Sequence, residues 1–138
     1  MNDNEFRQAL AALDMYQAQL ESLARQVQIF QMSLEEAIKA RETVKAFLGA
    51  KEGDELLIPI GAASFVTAKA TGENRAIVGV GSRMSAEKDL DGAFAFLDES
   101  VKEISEALKK SSESMNEMEA NARNLSAAVQ KEYERRQQ

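Results

Sequence analysis

The chain has 138 residues, a formal net charge of −6, and 29% charged against 44% hydrophobic residues. It contains no cysteine and no histidine, which removes thiol and imidazole chemistry, disulfides and the common transition-metal ligands. The acidic balance speaks against a nucleic-acid partner, which would need a basic face, and no apolar run approaches the roughly 18 residues of a membrane span.

The start, "MNDNEFRQAL", is polar and acidic and does not read as a secretory signal. With no cysteine to pair, a cytoplasmic location is the expectation. The first element is then a long helix over residues 1–49. Phe6, Leu13, Leu20, Val27, Leu34, Arg41 and Leu48 recur every seven residues. Ala9, Tyr16, Leu23, Phe30, Ala37 and Val44 follow three residues behind them. These are the a and d positions of a coiled-coil seam held over about six heptads, with Arg41 the one polar intruder. Arg41 either fixes register or snorkels outward. Asn2, with Glu5 three residues on, reads as a capping box. The glycines of "GAKEGDE" end the helix near Gly49.

The middle, residues 50–88, abandons the heptad. "ELLIPIG", "ASFVTAKAT" and "RAIVGVG" are short β-rich runs, with "RMSAEK" a weaker fourth. "TGEN", Thr71 to Asn74, reads as a hairpin turn. Pro59 marks its run as an edge or bulged strand. Gly79 and Gly81 have the spacing that opens a dinucleotide loop, but Met84 stands where the third glycine belongs. A short strand, rather than the required helix, is expected next, so the glycines are read as strand-bending positions. Alternation is poor, and both faces of these strands want cover. Two small hairpins cannot supply it themselves.

The last element, residues 89–138, repeats the first pattern. Phe94, Val101, Leu108, Met115, Ala122 and Val129 form one series, and Leu97, Ile104, Ser111, Met118 and Leu125 the other, until Glu132 breaks it. Asp89 is the expected N-cap. A stripe this narrow on helices this long needs a partner, which favours pairing the two helices with each other over an ordinary bundle with a wider apolar face. The fold class is therefore mostly α with a small β region. A long antiparallel two-helix coiled coil is joined by two β-hairpins, whose strands contribute to an intersubunit β-barrel that removes their open edges. Ile58, Ile60, Phe65, Val66, Ile77, Val78 and Val80 are the candidate assembly residues.

This order, with Pro59, Gly61, Ser64 and Phe65 in "LLIPIGAASFVTAKA" and Val78 to Gly81 in "AIVGVGSRMSAEKDLDGA", resembles prefoldin, specifically its α class. Ala63, where that class often has glycine, and Ser82-Arg83-Met84, where its run is usually smaller and more apolar, are departures. The resemblance covers nearly the whole chain, as a single prefoldin-like domain. It implies an ATP-independent chaperone subunit without enzyme activity or cofactor. The expected assembly is a hetero-hexamer of two α and four β-class subunits that captures non-native proteins and hands them to a group II chaperonin, with neither nucleic acid nor membrane as a partner. The physics places capture at the helix ends, which fray and lack further neighbours. There Phe6, Leu10 and Leu13 face Leu125, Val129 and Tyr133. The alternative is a tethering coiled-coil subunit with one defined protein partner.

Overall fold

The computed structural model describes residues 1–138. Two long helices, α1 (Asp3–Leu48) and α2 (Leu90–Arg136), enclose four strands in the chain: β1 (Glu55–Gly61), β2 (Ser64–Lys69), β3 (Ala76–Gly81) and β4 (Met84–Lys88). No helix is long and apolar enough to cross a membrane. The residues gather into two compact units, Met1–Gln31 with Glu106–Gln138, and Met32–Ser105.

The first unit is a pair of helical segments. Arg136 on α2 bonds Asp3 on α1, and Leu20 shares a groove with Glu119, so the segments run antiparallel. The seam residues from Phe6 to Phe30 and from Leu108 to Val129 are buried or half-buried, and the charged residues between them are mostly exposed. A two-in-seven apolar stripe has this outcome when one helix covers another. The Asn2 carboxamide oxygen accepts the Glu5 amide at 2.8 Å and caps the first turn of α1.

The second unit holds the hairpins and the helical segments next to them. Arg41 is half-buried and donates to Asp98 at 3.0 Å across the helix pair. Of the two readings of this residue, the register-fixing one therefore has a partner. The Arg41 guanidinium also holds the Asp98 carboxyl below its ordinary range, as does Lys102, against the opposing effect of burial. The seam slips at the end of α1: Leu48 is exposed, and Phe47 takes the half-buried place.

The two hairpins are built alike. β1 pairs antiparallel with β2 and β3 with β4, as two separate two-stranded sheets. The register shifts between Pro59 and Gly61 in one and between Gly79 and Gly81 in the other. Gly61 and Gly81 have φ of 94° and 104°, and the two-residue turns Ala62-Ala63 and Ser82-Arg83 follow with every φ positive. These are the left-handed turns that match strand twist, here made without the usual glycine. The expected turn at Thr71–Asn74 is corrected: this segment joins the two hairpins. Its Asn74 side chain accepts the Leu90 amide at 3.0 Å, while Asp89 accepts that of Gly92 at 2.7 Å. Two of the four orphan donors at the start of α2 are thereby satisfied. Gly79 and Gly81 lie in a hairpin strand, with β4 rather than a helix after them.

Candidate functional site

Two surfaces carry apolar side chains that the chain leaves open. On the hairpins, Val78 is buried and Ile58 half-buried, and both line a groove with Ala40, Val44 and Leu97. The residues around them are more open, although Ile77 also borders this groove and Phe65 borders another with Leu57 and Ala46. Phe65 is 59% and Ile77 77% exposed, and Ile60, Val66 and Val80 are exposed as well. Leu57 and Met84, missed in the sequence, join them. Ile60 and Val80 sit at the bulges, skipped by the ladder, which explains why both point outward although each lies next to a glycine turn. Each sheet has only two strands, so each also presents open backbone edges.

The second surface is a groove of roughly 710 Å³ within the first unit. Leu10, Leu13, Leu20 and Ala122 give it an apolar lining, beside Asp14, Gln17, Glu119, Arg123 and Ser126. It exists because the seam is underfilled: where α1 brings leucines, the apolar lining from α2 is Ala122 alone, beside Glu119, Arg123 and Ser126. Leu10 is 42% exposed, so apolar surface is accessible here without any separation of the helices. Of the six residues expected at the helix ends, the structure places Leu10 and Leu13 in this groove. Leu125 and Val129 are half-buried in the seam, and Tyr133 is 53% exposed outside it. Leu20 and Ala122 were not among those six; the signal for them was the small residue at an a position.

Phe6 is held differently. The Arg136 guanidinium lies 4.5 Å from the centre of its ring, within cation–π range. Arg136 also donates to Asp3 at 2.6 Å and to Glu132 at 3.0 Å. Glu132, which reads in the sequence as the break in the seam, occupies the next d position and is buried. Arg135 satisfies it with bonds of 3.0 and 2.6 Å. Hydrogen bonding from Arg135, with Arg136 adding to it, outweighs burial and holds the Glu132 carboxyl down at about 2, from an ordinary 4.5.

A carboxyl depressed in the folded state contributes stability that is complete above its unfolded value and is lost as pH falls through the folded one. The helix ends are therefore expected to loosen between pH 4.5 and about 2. Acid titration followed by hydrogen exchange of residues 1–9 and 129–136 measures this, and Glu132→Gln should flatten the response.

No group of three or more acidic side chains is placed to hold a metal ion. What the geometry offers is apolar surface on the open sheet faces and in a groove between helices flanked by charge, with Met15, Ile29 and Met32 also exposed along α1.

Comparison with known proteins places this arrangement. The family model described as "Prefoldin subunit" matches residues 16–135. A prefoldin subunit alpha from Methanothrix thermoacetophila is 40% identical over 108 residues, covering 78% of this chain and 71% of the relative. One from Pyrococcus horikoshii is 34% identical over 119 residues, covering 86% and 80%. Among solved structures, a filamentous PFD from Methanocaldococcus jannaschii superposes with a TM-score of 0.60 at 23% identity, over 88% of this chain and 98% of the other. The prefoldin beta subunit from Thermococcus strain KS-1 does so with a TM-score of 0.58 at 17% identity, over 92% and 90%. These last two speak for the fold, and the family model and the alpha relatives speak for descent: the chain belongs to the prefoldin family.

Proposed function

We propose that the chain works as the α-class subunit of an ATP-independent holdase. In this reading it assembles with β-class prefoldin subunits through its hairpins, captures non-native proteins between the helices of its first unit, and passes them to a group II chaperonin. Family membership makes it a chaperone-type subunit. The finer reading rests on one observation, the underfilled groove with Leu10, Leu13 and Leu20 along it.

The mechanism is that of weak, repeated apolar contact. Unfolded chains carry exposed aliphatic and aromatic side chains, and fully covering one is worth about 1.5–3 kcal/mol. A groove with no deep pocket and no directional hydrogen-bonding code accepts many such side chains. Affinity then comes from several helix pairs acting on one client, by effective concentration rather than by any single fit. Asp14, Glu119 and Arg123 beside the apolar lining keep it from being a continuous sticky patch, which limits self-association.

The experiment mixes the chain and its β-class partner with a denatured, aggregation-prone protein and follows light scattering without ATP. Scattering should be suppressed, and Leu10→Asp should remove most of that suppression while the assembly keeps its mass. Undiminished protection by the Leu10→Asp assembly would exclude the groove. Undiminished scattering with the unaltered assembly would exclude the holdase reading altogether.

A further inference from the structure

The ion cluster at the helix ends carries an inference about access, which rests on the client-capture reading. We infer that Arg136 is a latch: it ties the end of α2 to the start of α1 over Phe6, and its release sets how much apolar surface a client can reach.

Four contacts converge on this one side chain, three of them from the start of the chain, including the Met1 carbonyl, which accepts at 3.5 Å. Asp3 accepts at 2.6 Å, the Phe6 ring lies 4.5 Å away under the guanidinium, and Glu132 on its own helix accepts at 3.0 Å. Arg136 is also the last residue of α2, at the position where a helix frays most readily. Phe6 lies one turn before Leu10 on the same face of α1, so the covered ring continues the open groove. Lifting Arg136 would lengthen the apolar surface by an aromatic side chain.

The design of the cluster lets this happen at low cost. Glu132 is the buried member, and a buried carboxylate left alone would resist release. Arg135 makes two bonds to it, so Glu132 stays compensated when Arg136 departs. Asp3, by contrast, is largely exposed, and its pairing is of the weak, salt-screened kind. Arg135 stays on the buried carboxylate and the Met1 ammonium lies 3.4 Å from it as well, so the departure of Arg136 strands no buried charge.

The test uses the full chain assembled with its β-class partner. Arg136→Gln is compared with the unaltered chain by hydrogen exchange of residues 3–9 and 129–136, and by fluorescence anisotropy with a permanently unfolded, reduced and alkylated protein. Exchange should quicken in both segments together. Binding at low salt should tighten by about twofold to fivefold, the range set by one exposed ion-pair network. Raising NaCl to about 0.5 M should bring the unaltered chain close to the variant, because the Debye length then falls to a few ångströms. Unchanged exchange overturns the latch, and so does faster exchange with equal or weaker binding. If the unaltered assembly binds no unfolded protein at all, the proposed function fails separately. The latch then stands or falls on the exchange data and their salt dependence.

Discussion

A chain carrying Phe65→Asp and Ile77→Asp is expected to fail to assemble with β-class subunits and to elute at the mass of a single subunit. Both side chains lie on the open faces of their hairpins, 59% and 77% exposed, so their loss removes little from the packing of the chain itself. If neighbouring subunits cover them, each replacement forfeits about 1.5–3 kcal/mol of burial. Each also places in the contact a carboxylate whose desolvation costs several kcal/mol more. Together these exceed about 6 kcal/mol, which is on the order of 10⁴-fold in affinity. Val78 would be the wrong site for this experiment, because it is buried within its own chain and a charge there would disturb the hairpin before any contact between subunits. Size-exclusion chromatography with light scattering gives the mass, and circular dichroism checks that the helices persist. An assembly of unchanged mass would show that the open sheet faces are not where subunits meet.

The same hairpins show how far the sequence could be read. The heptads of α1 and α2 were legible because a two-helix seam forces a 3.5-residue period on both partners, and few other arrangements do. The strand runs were legible from their β-branched content, and so was their division into two hairpins, but the positions of the turns were not. Thr71–Asn74 has turn chemistry in Gly72 and Asn74, yet it lies between sheets, where Asn74 caps a helix. The real turns use Ala62-Ala63 and Ser82-Arg83 in a left-handed conformation that such residues rarely adopt. They are tolerated because Gly61 and Gly81 take up the bulge just before them. The clue was the repeat itself, an apolar residue, glycine and two turn residues, occurring at Ile60 and again at Val80. Glu132 was misread for a related reason. Heptad arithmetic marks a glutamate at d as a break, whereas arginines three and four residues on can make it a buried anchor. The groove was only half legible: Ala122, small at an a position, marks a weak stretch of seam, but which residues of α1 lie beside it depends on the register of the two helices.

Filling that groove tests the proposed capture against plain packing. Ala122→Leu adds three carbons to the wall that Ala122 shares with Leu13 and Leu20. At about 0.8 kcal/mol per buried CH₂, less the rotamer freedom lost, the helix pair should gain about 0.5–2 kcal/mol, as cavity-filling replacements commonly do. Thermal unfolding should move up by a few degrees. Capture should move the other way, because the added side chain occupies the space a client side chain would take. Losing one such contact at each arm is worth at least about 1.4 kcal/mol, or tenfold weaker binding of an unfolded protein, and more where several arms engage the same client. Opposite signs in the two measurements are what distinguish a binding groove from a packing defect. A defect that is merely filled gives a more stable protein that binds as before, and that result would move the client site away from Leu10, Leu13 and Leu20. A groove kept open at the expense of stability gives a more stable protein that lets its clients aggregate.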